Sequence, residues 1–445
     1  MSISPLDSAL YRGLLGDPEV SALLSDEAEI AAMIRAESAL ARVQARLGVI
    51  PAEAGALLSR HLDQISIAPA KLAAGVARDG VVAPALVAAL RAELPPEAAH
   101  WLHWGMTSQD AQDIALILRL RDVLTLFDQR LRDLIAELAR LAQANRDLPC
   151  LARTRLQAAA PTLFGLRVAQ WFAPLLRHRE RLREVRPRLL AIQLGGAAGN
   201  LAAFGPQARA LMDGLADELG LSRAEPWHKG RDRFEELAGW LAMVASSLGT
   251  IGVDIALLAQ GEVAEIRLAG AGGSSTLPQK QNPVLAEVLV SLARHAATLA
   301  GGVHQAGIHI NERDGMAWTL EWLALPQLVA TTGAALCRAR DLVSALRIDA
   351  SRMQANLDST QGLILAEMAS FALAARGSRA EAAALVKTAV ETTLRDGGHL
   401  LDHLAKIAPS GADWAALRQH GAGLGPARAL LERLLETAST SLKAE

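Results

Sequence analysis

Residues 110–145 read DAQDIALILRLRDVLTLFDQRLRDLIAELARLAQAN. Ile114, Ile117, Leu118, Val123, Leu124, Phe127, Leu131, Leu134, Leu138 and Leu141 fall on one face of a helix with 3.6 residues per turn. Thr107 or Ser108 can cap its start, and Asp110 and Asp113 suit the positive end of the helix dipole. At 1.5 Å per residue, a helix of about 35 residues is about 50 Å long. Runs of the same period recur over 163–190, 231–268, 283–307 and 318–346, and a shorter one over 27–47 is ended by Gly48 and Pro51. Alternating strand patterns are hard to find. The expected fold is all-α, built on a bundle of long helices.

A chain of 445 residues is too long for one hydrophobic core. The pattern suggests an N-terminal helical domain over 1–108, a central long-helix bundle over 109–348 and a small helical domain over 349–445. In the last, Gly377, Gly397, Pro409 and Gly411 keep the helices short. Many outward positions on the long helices are alanine or leucine. A helix apolar nearly all round wants burial on several sides, so the bundles are expected to associate into an oligomer.

Composition excludes several function classes. The formal net charge is -2, with neither a basic stripe nor interleaved aromatics, so nucleic acid is not an expected partner. Cys150 and Cys337 are too few for a disulfide framework or a zinc cluster, and a reducing compartment follows. The start, MSISPLDSALYRG, lacks the pattern of a secretion signal. Charged residues interrupt the apolar stretches before the roughly 18 residues of a membrane span. A soluble, cytoplasmic protein with no membrane partner is expected.

The segment richest in chemistry is 270–287, GAGGSSTLPQKQNPVLAE. Gly270, Gly272 and Gly273 permit unusual backbone angles, and the N–H groups around Ser274 and Ser275 can form an anion-binding nest. Lys280 adds a positive charge. Asn282 suits the N-cap of the next helix and Pro283 its first position. The segment fits a flexible linker ending in a capped helix, and it equally fits an anion-binding catalytic loop. The Walker pattern is absent, and no strand is expected ahead of the glycines, so a phosphate loop or dinucleotide site does not fit.

GSSTLPQKQNP resembles the signature loop GSSxMPxKxNP of the fumarase, aspartase and argininosuccinate lyase superfamily, with Leu277 in place of methionine. Thr107-Ser108 in HWGMTSQD resembles a second region of that superfamily, and RTRLQAAAPTLFG over 153–165 a third. The likeness in layout spans essentially the whole chain. It implies a cofactor-free and metal-free enzyme, forming a homotetramer whose active sites are shared between subunits. It also implies that Ser274 is the proton-transfer residue, with Lys280 and Asn282 binding the carboxylate of a small polycarboxylate substrate. His103, Thr107, Ser108, Arg155, Gln157, Ser275 and Arg313 are the implied substrate contacts, and Glu287 a supporting residue.

Proton chemistry at the carbon next to a carboxylate creates a doubly negative intermediate. A cation and donors aimed at that charge are typically the largest catalytic contribution. A serine can take part only where nearby donors and cations lower its pKa.

Within the superfamily, four stretches resemble the bacterial 3-carboxymuconate cycloisomerase subgroup. They are SDEAEIAAMIRAESALARVQARLGVIP over 25–51, LGGAAGNLAAFG over 194–205, PWHKGRDRFEEL over 226–237 and NERDGMAWTLEWLALPQ over 311–327. The implied reaction is closure of a carboxymuconate to a lactone in protocatechuate breakdown, with Ser274 as acid. Amine-releasing relatives, the adenylosuccinate and argininosuccinate lyases, carry a histidine where this chain has Arg155. Arginine has no proton to give at neutral pH. An amine leaving group needs one and a carboxylate leaving group does not, and Arg155 can instead pair with a substrate carboxylate.

The alternatives are such a fumarate-releasing lyase, a cycloisomerase for a sulfonated muconate, and a catalytically silent structural protein. Individual residues keep plainer readings too. His103 fits a helix-end histidine as well as a substrate contact. Arg313 fits a surface ion pair with Glu312 or Asp314. Arg231 and Arg233 are weaker candidates, and His100 with His103 lacks the further ligand a metal requires.

Overall fold

The computed structural model describes residues 4–443, apart from 271, 274, 275, 278, 409, 411 and 420–423. The expected catalytic Ser274 and its neighbour Ser275 therefore lie outside the described residues.

The 110–145 pattern forms one helix, Ser108–Ala144, of 37 residues. Thr107 is its N-cap, with a carbonyl that accepts the Ala111 N–H at 3.3 Å. Asp110, in the third helical position, reaches back to accept the Thr107 N–H at 3.1 Å, one half of a capping box. Of the ten apolar residues assigned to one face, all but Leu141 are buried. Helices Phe164–Leu189, Asp232–Leu258, Val284–Ala306 and Gly315–Ser344 follow the other long runs. Asp26–Arg46 takes up the 27–47 pattern, capped by Ser25, whose Oγ accepts the Ala28 N–H at 3.2 Å.

Two places depart from the expected helices. The 231–268 run stops at Leu258, and Ile266–Leu268 pairs antiparallel with Leu346–Ile348. A short strand thus does precede the glycines at 270–273. Tertiary contacts override the helical period here, because Glu265 is fully buried and held by Arg153 and Asn356, each at 2.8 Å. The second departure is a hairpin, Pro149–Thr154 with Gln157–Leu163, across the alanine-rich stretch ahead of the third long helix. These short ladders leave the all-α class unchanged.

The chain divides into two compact units. One comprises residues 1–130, 178–246 and 291–337, and the other 131–177, 247–290 and 338–445. Within the second, Leu357, Ile364, Leu365, Ala369, Leu400, Leu401 and Leu404 gather a core from the short C-terminal helices.

Three helices, Asp232–Leu258, Val284–Ala306 and Gly315–Ser344, are long and apolar enough to cross a membrane by length and composition. In their most apolar windows only 50%, 33% and 61% of residues are buried within the chain. That is the surplus of apolar surface expected from the alanine and leucine on outward positions.

Candidate active site

Thr107, Ser108 and Gln109 open the Ser108–Ala144 helix and so stand at its positive end. Arg313 comes to the same place. Its Nε donates to Gln109 Oε1 at 2.8 Å and its Nη1 to Thr107 Oγ1 at 3.4 Å. The terminal nitrogens also reach the carbonyls of Ala197 at 3.1 Å and Gly196 at 3.2 Å. Most of the guanidinium is thus engaged by the chain itself, which makes Arg313 a clamp between the 194–200 loop and the helix start. It does not pair with Asp314. That carboxylate accepts the N–H groups of Ile310, Met316 and Ala317 and caps the Gly315–Ser344 helix.

The same loop is pinned from beneath by Asp110, which is fully buried. Its carboxylate accepts from Gly195 N–H and Gly196 N–H at 2.9 Å each, and from Gln193 Nε2 and Thr107 N–H at 3.1 Å each. Burial pushes its pKa up to about 6, and the four donors only partly offset this.

His103 precedes the helix with a positive φ of 62°. Its Nδ1 lies 2.5 Å from Glu37 Oε1, and both groups are largely buried. Burial disfavours the charged ring, but the Glu37 carboxylate outweighs it and the pKa is raised. Glu37, on the Asp26–Arg46 helix, orients the imidazole as a second carboxylate orients many functional histidines.

His228 is a residue that the sequence reading passed over, although it sits in the quoted PWHKGRDRFEEL. Its carbonyl accepts Gln109 Nε2 at 2.8 Å, which ties it to the Gln109–Arg313 pair. Its ring packs on the 194–200 loop, with Nδ1 buried and unpartnered among the described residues. Burial, then the neighbouring Arg313, lowers its pKa, so the ring is neutral at neutral pH. His309 is similarly placed for neutrality by burial and Arg231, which outweigh the Ala306 carbonyl beside its ring. The signal for both was available as isolated histidines beside motif residues.

Arg231 is not a surface group. It is buried between Asp113, at 2.8 and 2.9 Å, and Glu321, at 2.6 and 2.9 Å, and it stacks on Trp227 and Phe234. Burial works against its charge, but Asp113 and then Glu321 outweigh it and raise its pKa. Arg233 also lies over the Trp227 ring, 5.6 Å from its centroid.

The remaining candidates belong to the second compact unit. Arg155 and Leu156 are the two central residues of the hairpin turn between Thr154 and Gln157, with φ of 50° and 67°. A two-residue turn with both φ positive favours Asn-Gly, and a bulky residue there is strained by about 1–3 kcal/mol. Leu156 is 77% exposed at the tip. Arg155 lines a cavity of about 450 Å³ with Arg153, Arg167 and Asp254. Glu265 engages Arg153 at 2.8 Å and Arg167 at 3.7 Å, while Arg155 has no ion-pair partner among the described residues.

Gly272 and Gly273 pair with Asn282 and Gln281, so the ends of the signature segment are bridged. Lys280 is exposed within it, and its N–H donates to the Leu277 carbonyl at 2.9 Å. Asn282 sits in this bridge and not at the helix cap. Pro283 takes that position, its carbonyl accepting the Glu287 N–H at 3.1 Å. Glu287 lies in the first turn of Val284–Ala306.

The family model described as Lyase matches residues 18–297. The chain is 42% identical over 426 residues to the 3-carboxy-cis,cis-muconate cycloisomerase of Pseudomonas aeruginosa, covering 93% of each chain. To the enzyme of that name from Bradyrhizobium diazoefficiens it is 39% identical, over 97% of this chain and 98% of the relative. Among solved structures, the 3-carboxy-cis,cis-muconate lactonizing enzyme from Pseudomonas putida matches with a TM-score of 0.90 at 36% identity, over 98% of this chain and 100% of that one. The chain belongs to the lyase family, within the superfamily of fumarase and aspartase.

Proposed function

We propose that this chain is a cofactor-free cycloisomerase that interconverts 3-carboxy-cis,cis-muconate and 4-carboxymuconolactone, as the names of its relatives describe. The observation that carries the reading is Arg155 at the strained hairpin tip, unpaired among the described residues, where amine-releasing relatives use a histidine. A fixed cation there can hold a carboxylate. It cannot deliver the proton that an amine leaving group requires.

In the lactonising direction, an oxygen of one substrate carboxylate forms a bond to a carbon of the double bond. The π electrons move to the neighbouring carbon, next to a second carboxylate, whose oxygens take up the charge. Lys280 and Asn282 are the proposed stabilisers of that charge, which develops only in the transition state. Ser274 gives its hydroxyl proton to the carbon, and solvent restores it, so the trianionic substrate gains one proton in becoming the dianionic lactone. Thr107, Ser108 and His103 are proposed to bind a further carboxylate at the positive helix end, Gln157 and Ser275 to complete the contacts, and Glu287 to support Lys280. Arg313 is assigned to the same end as the clamp of its binding loop.

The assembly we propose is a homotetramer with active sites shared between subunits. Its support is the apolar surface left on the long helices, with Met243 42%, Val253 41% and Leu323 60% exposed. The division into 1–108, 109–348 and 349–445 belongs to the same proposal, favoured by the separate core around Leu357 and Leu400. A cytoplasmic location accompanies it.

Turnover in deuterated water tests the reaction. The proposal expects one deuteron on the ring-adjacent carbon of the lactone. Product without that deuteron, or release of fumarate, contradicts it.

A further inference from the structure

A second cavity lies in the first compact unit. It holds about 310 Å³ and is lined by the Ser108–Ala144 helix from Gln112 to Leu120, by Trp318, Glu321 and Trp322, and by Val76, Val81 and Val82. Its walls are mainly apolar or aromatic, and its polar groups are mainly acceptors. The volume and character are those of a small-molecule site.

Three observations fix what would fill it. Gln112 is 7% exposed, lines the cavity, and its Oε1 has no hydrogen-bond partner among the described residues. A buried amide oxygen left unpaired costs about 1–3 kcal/mol, so the site lacks a donor. Pro326, inside the Gly315–Ser344 helix and also lining the cavity, has no N–H for the Trp322 carbonyl one turn back, which frees a second acceptor. The charges then choose the kind of donor. Asp113 and Glu321 both line the cavity and share one cation, Arg231, so this buried group carries an excess of one negative charge when ionised. Among the described residues, the one cation on the lining, Arg119, is paired with Glu29 at 3.3 Å, while Asp26 stands exposed on the lining.

We infer that this cavity binds a small organic cation, a primary ammonium on an apolar body. The ammonium would donate to Gln112 Oε1 and neutralise the Asp113–Arg231–Glu321 group, with its body against Trp318, Trp322, Leu116 and Leu325. The two indoles, with ring centroids 4.7 Å apart at 60°, offer a face and an edge to such a ligand. The inference does not rest on the proposed reaction, because none of the residues assigned to catalysis lines this cavity.

The test is calorimetric titration of the full-length protein with phenethylammonium, hexylammonium and hexanoate, together with thermal melts. Both ammonium compounds should bind at millimolar concentration and raise the melting midpoint, while hexanoate does neither. Gln112→Leu should weaken the ammonium by about tenfold, the effect of losing one good hydrogen bond to a charged donor. Leu116→Trp, which fills the cavity, should abolish binding, with the melting midpoint of the free protein serving to show that it folds. Equal binding of hexanoate, unchanged affinity in Leu116→Trp, or no binding to the wild type overturns the inference.

Discussion

Gly199 sits directly against the imidazole of His228. A β-carbon on Gly199 would sit 2.1 Å from His228 Cε1 and 2.5 Å from Nε2, and the backbone φ of 79° adds to the strain of any substitution. Gly195 makes the same approach less tightly, its β-carbon position being 3.3 Å from His228 Nδ1. Gly199→Ala is therefore expected to displace the ring and the 194–200 loop, lowering kcat/KM by one to two orders of magnitude while helix content is kept. Circular dichroism alongside steady-state kinetics checks both halves of that expectation.

Asp110 sets a pH dependence. A buried acid whose folded pKa is raised to about 6 binds more protons folded than unfolded between the ordinary carboxylate range and about pH 6. Its contribution to stability therefore falls as pH rises through that window. Binding of the loop amides runs the other way, because only the carboxylate accepts all four donors without conflict. Asp110→Asn should cost about 1–3 kcal/mol at neutral pH, since the amide NH₂ meets an N–H donor. It should also remove the part of the pH–stability profile that breaks near pH 6, as urea melts at several pH values would show.

Arg231→Met is expected to destabilise the chain by about 3–5 kcal/mol, because it strands Asp113 and Glu321 as uncompensated buried carboxylates. Lowering the pH should recover part of the loss by protonating them. A urea midpoint within experimental error of the wild type would mean that the ion group is not buried in solution.

The hairpin tip separates stability from function. Replacing Arg155-Leu156 with Asn-Gly gives the turn the residues its backbone favours, and should stabilise the protein by about 1 kcal/mol while raising KM sharply. Arg155→His should weaken substrate binding without conferring amine-lyase activity. Unaltered kinetics in both variants would make Arg155 a structural residue.

The long helices were legible because their apolar residues keep one period over many turns, and burial of nine of the ten marked positions on Ser108–Ala144 follows from that. The signature loop was legible as a rare grouping of residue types. Other features depend on what lies far away in sequence. Alanines 158–160 carry no strand signal, and only pairing with Pro149–Thr154 makes them extended. Arg231 was only a weak candidate from sequence because Asp113 and Glu321, its partners, are some 90 or more positions distant. His228 gained its place through contact with glycines in another loop, which no local pattern records.

The central claim is tested most directly by following the conjugated diene absorbance of 3-carboxy-cis,cis-muconate with the purified wild type and with Ser274→Ala, in parallel with fumarate release from adenylosuccinate and argininosuccinate. The account predicts rapid loss of the diene with the wild type, a fall of several orders of magnitude in a Ser274→Ala protein of unchanged helix content, and no fumarate. Fumarate formed at an enzymatic rate, or a Ser274→Ala variant of near-normal activity, would contradict it.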